Sequence, residues 1–356
     1  MKLKPAVCLV LARTFSCHVL LLLSLVSVGC NESKPSVVIY TSVDDIFARS
    51  ILDEFENASG IRVDALYDVE AQKTTGLFKR LMAEHDSGRP RADVFWNSEV
   101  ARTIQLQTHG VLTPYVSPSA SDIPEQFRVS DRTWTGFAAR ARIIIYNRDR
   151  VTSAEVPQSI WGLTDERWRG EAAIANPLFG TTATHRGALW STLGEEWTKE
   201  YFQALIANDV QILAGNSTVR DRVASGELKI GLTDTDDAFV AIKKGDRVGI
   251  VFPDQAVGIP GHEGALGTFV IPNTVAVITG APHREAAEKL VDYLLSREVE
   301  GRLAAGESAQ IPVRDGVKGP QIPGQPNPLV PMVVDYGYVA RGVEESRDFF
   351  EKLFIK

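Results

Sequence analysis

Two arginines and a short polar segment carry the clearest equipment for holding an anion. Arg140 and Arg142 are two residues apart in an apolar, strand-like segment, so both side chains point to the same face. Gly180, Thr181 and Thr182 offer backbone N–H groups and two hydroxyls, the groups that bind a phosphate or a carboxylate. The alternative for the arginine pair is a solvated position on the surface.

The acidic segment 234–237 raises the question of catalysis. Asp234, Thr235 and Asp236 follow an apolar run, a pattern that resembles the nucleophile loop of aspartate-dependent phosphatases. The match fails at Ala238, where those enzymes carry threonine or valine, and the segment lies deep in the chain. Serine and cysteine hydrolases are excluded because there is no Gly-x-Ser-x-Gly elbow and no cysteine after residue 30. We therefore predict no enzymatic activity.

The histidines give no sign of a transition-metal centre. Five histidines follow residue 30: His85, His109, His185, His262 and His283. None of them shows the His-x-x-x-His or His-x-His spacing of metal ligands. His185 is the one near Thr181 and Thr182 in sequence, and a surface position is its alternative.

The composition is that of an ordinary globular protein. The chain has 356 residues, of which 44% are hydrophobic and 23% are charged. At about 150 residues per domain, this length predicts two lobes. Lys and Arg number 38 against 45 Asp and Glu, and the resulting net charge of -7 argues against a partner held through its phosphate backbone. Nucleic acid is therefore not an expected ligand.

The first 30 residues have the pattern of an export signal. Lys2, Lys4 and Arg13 precede an apolar run at residues 19–28, which is about half the length of a membrane-spanning helix. All three cysteines lie in this region, so no disulfide is expected in the rest of the chain. Gly29 before Cys30 resembles a bacterial lipoprotein processing site, which makes residues 1–29 a signal peptide and Cys30 a lipidation site. Ordinary secretion is the alternative.

Alternating strand and helix patterns must position these side chains. Residues 37–108 read as three strand–helix pairs, which predicts a parallel sheet with helices on its faces. Ligands of such sheets bind beyond the carboxyl ends of the strands, so residues 41–45 and 97–99 should share one rim. Trp96 at the end of the third strand could stack on a ligand, and a buried core position is its alternative.

The remainder of the chain continues the alternation. A loop is predicted over residues 176–182, and a strand at 228–232 leads into a polar loop at 233–237. Helices are predicted at the segments 160–169, 195–206, 284–303 and 344–353.

Motif order resembles that of iron(III)-type solute-binding lipoproteins of ABC importers, at residues 37–45, 92–95, 140–142 and 231–237. The resemblance spans nearly all of the chain after the leader. It implies an α/β fold with two lobes, each a mixed, mostly parallel sheet with flanking helices, joined by two hinge crossings. The predicted lobes are 35–134 plus 275–356, and 135–274.

The family's ferric site uses a histidine or acidic residue after the first strand, an acidic residue after the Ala-Asp-Val-Phe strand, and two adjacent tyrosines. On this sequence the first position is Asp44, and the second is Ser98 by strict spacing or Glu99 if the loop is one residue longer. Asp236 and Asp237 replace the tyrosines. Carboxylates suit hard cations, so Asp44, Glu99, Asp236 and Asp237 still form a plausible ferric set. Helix capping is the alternative for Asp44 and for one of the aspartate pair.

The resemblance also places the two arginines where the family holds a synergistic anion. If they bind the solute directly, it is a phosphorylated sugar, a phosphonate or another small organic anion. The candidate ligand-binding residues are Thr41, Ser42, Trp96, Asn97, Ser98, Arg140, Arg142, Gly180, Thr181, Thr182, Asn216 and Asp234.

We therefore expect a monomeric solute receptor, lipid-anchored in the periplasm or at the outer cell surface, that delivers its ligand to an ABC permease. Ferric iron, with a synergistic anion, is the first expected ligand, and a small organic anion is the alternative. Uptake in such receptors depends on a ligand that stabilises the closed form through a hinge.

Overall fold

The computed structural model describes residues 34–68, 75–256, 258–326 and 328–355. Its strands are β1 (Ser36–Thr41), β2 (Arg62–Tyr67), β3 (Val94–Asn97), β4 (Leu112–Thr113), β5 (Thr135–Asn147), β6 (Ala172–Ala175), β7 (Gln211–Leu213), β8 (Ile230–Asp234), β9 (Val248–Val251) and β10 (Val270–Ile278). Its helices are α1 (Asp45–Ser59), α2 (Thr75–Asp86), α3 (Val100–Thr108), α4 (Gly180–Leu193), α5 (Glu195–Ala207), α6 (Asn216–Ala224), α7 (Thr235–Lys244), α8 (Arg284–Leu294), α9 (Arg297–Ala305), α10 (Tyr336–Glu345) and α11 (Arg347–Phe354). The predicted signal peptide 1–29 and Cys30 lie outside the described residues.

The strands form one mixed sheet in the order β2-β1-β3-β10-β5-β8-β6-β7, with β4 on β10 and β9 on β5. β1 pairs in parallel with β2 and β3, and β6 pairs in parallel with β7 and β8. β10 is antiparallel to β3 and to β5. The α/β architecture predicted from the alternating pattern is confirmed.

Strand β5 joins the two halves of this sheet. Its residues up to Ala141 pair with β10, and those from Arg142 onward pair with β8 and β9. All of its residues after Thr135 are buried, as expected for a strand covered on both faces. Arg140 and Arg142 are therefore buried, and the surface alternative for this pair is wrong.

Helix α1 shows how packing fixes the start of a helix at the sheet rim. Ala48, Ile51, Leu52 and Phe55 form its buried face, and burying a large apolar side chain stabilises the fold by about 1.5–3 kcal/mol. The helix ends at Gly60, whose φ of 71° gives a left-handed cap. This anchoring holds the N-terminus of α1 close to the carboxyl end of β1.

Two predicted helices are each divided in the structure. The segment 284–303 forms α8 and α9, because Ser296 begins a new helix by accepting a hydrogen bond from the backbone N–H of Val299 at 3.2 Å. The segment 344–353 belongs to α10 and α11, and α10 begins much earlier, where Asp335 accepts from the N–H groups of Gly337 and Tyr338. Local caps therefore decided boundaries that apolar periodicity did not reveal.

Three other expectations need correction. The predicted loop 176–182 ends early because α4 begins at Gly180, so Thr181 and Thr182 lie in its first turn. The polar loop 233–237 is likewise shortened by α7, which begins at Thr235. The predicted helix at 160–169 forms two short 3-10 turns instead.

The last two helices pack mainly on elements that follow β5. Helix α10 lies against α4 and also against α3, while Phe350 of α11 is buried against Phe202 with ring centroids 4.9 Å apart. The predicted lobe boundaries stay a prediction. Over the described residues, every helix is too short or too polar to pass through a bilayer.

Candidate functional site

A cavity of about 390 Å³ opens where strands end and helices begin. Its wall includes the first residues or N-caps of α1, α3, α4, α6 and α7. Helix N-termini present unsatisfied N–H groups and the positive end of the helix dipole, so they favour anions and carboxylates. Six carboxylates and three basic side chains line the cavity: Asp44, Glu99, Asp234, Asp236, Asp237 and Glu307, with Arg140, Arg220 and Lys244.

A buried ion pair lies at the floor of this cavity. The register of β5 and β8 places Arg142 opposite Asp234, and Arg142 Nη1 lies 2.7 Å from Asp234 Oδ1. Asp234 Oδ2 accepts from Thr181 Oγ1 at 2.7 Å and from Asn216 Nδ2 at 3.0 Å. Arg142 also donates to Thr182 Oγ1 at 3.2 Å. The structure thus brings five predicted ligand residues together and ties the starts of α4 and α6 to the sheet.

The charge state of Asp234 follows from this environment. Burial by itself raises the pKa of a carboxyl group, but Arg142 and then Arg140 outweigh it and hold the pKa of Asp234 below its ordinary value. Asp234 is therefore ionised at neutral pH. Its charge offsets that of Arg142.

Arg140 connects two sides of the cavity. Its Nε lies 3.4 Å from Asp236 Oδ2 and 3.6 Å from Asp234 Oδ2, and its Nη2 donates to the backbone carbonyl of Ser98. Burial acts to lower the pKa of Arg140, but the neighbouring carboxylates, Asp236 first, raise it above the ordinary value. A permanent positive charge therefore lies between the β3–α3 loop and the start of α7.

Three carboxylates cluster at the start of α7. Oxygens of Asp234, Asp236 and Asp237 lie within 4.8 Å of one another. Two oxygens that bind one hard cation at about 2.0–2.6 Å are at most about 5 Å apart, so this spacing suits such an ion. Arg220 Nη1 lies 3.4 Å from Asp237 Oδ1. Because α7 begins at Thr235 with Asp234 at the N-cap position, the alternative that Asp236 or Asp237 is a helix cap is wrong.

The two remaining predicted metal ligands differ in their surroundings. Glu99 accepts from the backbone N–H of Ala101 at 2.6 Å and of Arg102 at 3.1 Å, and it also accepts from the Thr184 hydroxyl. Both oxygens of Glu99 are thus engaged in capping α3 and bridging to α4, which favours a structural role. Asp44 lines the cavity from the N-cap position of α1, and its side chain makes no capping hydrogen bond to that helix.

Four predicted ligand residues lie behind the cavity wall. Trp96 is fully buried and packs on Phe137, with ring centroids 6.0 Å apart, so the core alternative is the one observed. Ser42 Oγ donates to Asn97 Oδ1 at 2.6 Å, and Thr41 Oγ1 accepts from a nearby backbone N–H. These bonds stiffen the rim beneath the cavity. Of the predicted residues near this rim, Ser98 does line the cavity.

His185 is not a ligand-facing residue. It is buried in α4 and stacks on Phe269 with ring centroids 5.2 Å apart. Burial lowers the pKa of His185 to about 3, so the ring is neutral. The surface alternative is wrong as well.

Several lining residues were not predicted from the sequence. Arg220 follows Asn216 by one helical turn, so the spacing itself carried a signal for it. Glu307 and Gln310 come from the segment after α9, which reaches the cavity only through long-range packing. Ile46 and Phe179 add apolar surface. No tyrosine is among the described residues that line the cavity.

Residues 92–331 match the family described as bacterial extracellular solute-binding protein, and this match covers more than half of the chain. The chain belongs to that family. Iron uptake protein A1 of Synechocystis is 29% identical over 290 residues, which cover 78% of this chain and 74% of that protein.

Solved structures share the fold of this family member. Iron-bound HitA from Pseudomonas aeruginosa superposes with a TM-score of 0.78 at 20% identity, over 90% of this chain and 100% of that one. AfuA from Actinobacillus pleuropneumoniae, solved with exogenous fructose-6-phosphate, gives a TM-score of 0.74 at 22% identity, over 91% and 98% of the two chains. The expected two-lobe periplasmic-binding-protein fold is thereby confirmed.

Proposed function

We propose that this solute-binding protein delivers ferric iron, bound together with an oxyanion, to an ABC importer. The observation that carries the proposal is the acidic cluster of Asp234, Asp236 and Asp237, whose oxygens lie within 4.8 Å of one another at the cavity wall. Asp44 supplies a further carboxylate from α1. Such hard oxygen ligands suit a hard, highly charged cation.

The charge balance of the cavity supports a cation. Six carboxylates line it against three basic side chains, and Arg142 beneath the floor adds one more positive charge. The remaining negative charge disfavours a bare dianion and favours a cation or a ligand that carries one. The name of the Synechocystis relative, an iron uptake protein, agrees with this choice.

An oxyanion would be held beside this cluster, because Thr181 and Asn216 donate hydrogen bonds to Asp234. The first turns of α4 and α6 present N–H groups there, together with Thr181, Thr182 and Asn216. Arg140 contacts the acidic cluster through Asp236 and Asp234. An anion placed there would complete the coordination of the metal and offset part of its charge.

Export and anchoring belong to the same proposal. The charged and apolar pattern of residues 1–29 and the Gly29-Cys30 junction support a lipoprotein held at the membrane where the permease lies. The receptor acts as a monomer and performs no chemistry. Mass spectrometry of the N-terminal peptide from the native host tests the lipid at Cys30.

Calorimetric titration of the metal-free protein with ferric iron and inorganic phosphate tests the solute. We expect Asp236→Asn and Asp237→Asn to weaken iron binding by at least tenfold each, because each removes a charged oxygen ligand. Asp246→Asn is the matched control, since Asp246 is exposed, follows the end of α7 and does not line the cavity. Wild-type affinity in both cavity variants would remove these carboxylates from the iron site.

A phosphorylated sugar or a phosphonate is the second candidate, and a specific observation favours it. Two helix N-termini with three polar side chains converge on one wall, and this is ample equipment for a phosphate group. AfuA, which shares the fold, was solved with fructose-6-phosphate. In the same calorimeter, binding of sugar phosphates or phosphonates without iron would transfer the assignment to this class.

A further inference from the structure

Strand β5 contains one extra residue, Ala138, two positions before Arg140. The two neighbours of Ala138 pair with consecutive residues of β10, Pro272 and Asn273, so Ala138 itself forms a β-bulge. Side chains alternate between the two faces of a strand, and a shift of one residue moves all later side chains to the other face. Without the bulge, Arg140 would lie on the face opposite to the cavity.

The backbone of Ala138 is strained. Its φ of 41° lies in the left-handed region, which residues with a side chain rarely adopt, and the residue is fully buried. Such strain persists only where the surrounding structure holds it in place. Pro272, opposite the bulge, has no N–H group to donate to β5, and proline is found inside sheets at such irregular positions.

Two buried side chains outside the cavity lining hold the bulge. Glu300 Oε1 accepts a hydrogen bond from the N–H of Ala138 at 2.9 Å, and Asn273 Nδ2 donates to the carbonyl oxygen of Ala138. The second oxygen of Glu300 accepts from Arg314 Nε at 2.6 Å, which fixes the carboxylate. Asn273 Oδ1 also accepts from Arg140 Nη1 at 3.5 Å. The bulge and the guanidinium group are therefore held by one connected set of contacts.

We propose that Glu300 and Asn273 are positioning residues for the solute, because they hold the bulge that orients Arg140 into the cavity. This inference rests on the proposed function, in which Arg140 belongs to the binding site and contacts Asp236 at 3.4 Å. Groups that orient the residues around a bound metal typically change its affinity by roughly 10- to 100-fold when they are removed. Solute affinity is thus set in part by a buried carboxylate that does not touch the solute.

Calorimetric titration of the full-length protein with ferric iron and inorganic phosphate tests this proposal. We expect Glu300→Ala to weaken binding by about tenfold, because the N–H of Ala138 loses its acceptor and Arg140 loses its orientation. Glu300→Gln should recover most of the affinity, since the amide oxygen can still accept from that N–H. Asn273→Ala should show a similar loss, and it keeps the test open if Glu300→Ala does not fold.

Two comparisons separate positioning from general loosening of the fold. Glu84→Ala is the matched control, because Glu84 also accepts from a backbone N–H, that of Arg91 at 2.9 Å, and from the Tyr40 hydroxyl at 2.7 Å, but lies outside the cavity lining. It should lower stability and leave solute affinity unchanged. In an Arg140→Gln background, Glu300→Ala should cause no further loss of affinity, since the group that it orients is gone.

The outcomes separate this proposal from the function on which it rests. Wild-type affinity in Glu300→Ala and Asn273→Ala, an equal loss in Glu84→Ala, or a full further loss in the Arg140→Gln background overturns the positioning role. If the wild type binds no iron, the proposed function fails instead. Ligand-free crystal structures of the wild type and Asn273→Ala then decide the positioning role: Arg140 turned away from Asp236 in the variant supports it, and an unchanged Arg140 overturns it.

Discussion

Replacing Asp234 by asparagine removes the carboxylate that balances Arg142 at the floor of the cavity. The two side chains are 3% and 0% exposed and 2.7 Å apart, and loss of one member of such a pair leaves the other charge buried without compensation. Removal of one partner from a buried pair costs about 3–5 kcal/mol. Asparagine also directs its amide toward the Thr181 or Asn216 donors that the carboxylate accepts from. We expect the free energy of unfolding to fall by about 3–5 kcal/mol.

Urea denaturation of the ligand-free protein, followed by tryptophan fluorescence, measures this loss. The double variant Asp234→Leu with Arg142→Met should cost less than Asp234→Asn alone, because an apolar pair avoids the stranded charge. Asp246→Asn is an exposed control and should stay within about 0.5 kcal/mol of the wild type. A loss below about 1 kcal/mol in Asp234→Asn, or a double variant whose cost equals the sum of both single changes, would refute this account of the pair.

The pH dependence of the same variant follows from the lowered pKa of Asp234. A carboxyl group whose pKa is lower in the folded state stabilises the fold fully above its unfolded value of about 3.9, and this stabilisation is lost as the pH falls through the lower folded value. The difference between wild type and Asp234→Asn should therefore be constant from pH 8 to pH 5. It should shrink only in more acidic solution.

Two further changes test a buried carboxyl group outside the cavity, Asp254, and the N-cap of α3, Glu99. Burial raises the pKa of Asp254 to about 6, so its ionisation destabilises the fold as the pH rises from about 4 to 7. Asp254→Asn should therefore stabilise the protein by about 2–3 kcal/mol at pH 8 and by little at pH 4. Urea denaturation at both pH values measures the two gains, and equal gains would contradict the prediction. Glu99→Ala should cost about 1–2 kcal/mol through loss of the α3 cap, whereas Glu99→Gln should recover part of it; a larger loss of iron affinity than of stability would instead make Glu99 a metal ligand.

Strands β1, β2, β3, β5 and β8 and the first three helices could be predicted from the sequence because their signals are local, whereas the short strands β4 and β9 were not predicted. The run of apolar residues in β5 and the spacing of Phe47, Ile51, Leu52 and Phe55 in α1 reflect burial that each segment shows by itself. Helix α4 was missed because its buried residues extend all around it, including Thr184, His185 and Arg186, so it lacks an amphipathic pattern. The division of α8 from α9 depended on a single serine cap.

The site was predictable only to the extent that strand ends define it. Polar residues after β8, together with Arg140 and Arg142 on β5, meet because sheet register brings them together. Trp96 was misplaced because a side chain at a strand end points either into the core or toward the rim, and the sequence does not specify which. Glu307 and Gln310 also line the cavity, but they lie about seventy residues along the chain from Asp236 and Asp237. No local sequence pattern therefore predicts that they contribute to the site.

Carboxylates in place of a phenolate pair change how such a site competes with protons. A tyrosine must lose a proton with a pKa of about 10 to become a ligand, whereas aspartate is already ionised at neutral pH. Protons therefore compete with the metal for phenolate ligands at every pH below about 10, whereas they compete for aspartate ligands only below about pH 4. Carboxylates also discriminate less between ferric iron and other hard cations. If the cavity lined by Asp44, Asp236 and Asp237 binds iron as proposed, its selectivity would depend on the anion bound with the metal, and the residues that contact this anion would matter as much as the metal ligands themselves.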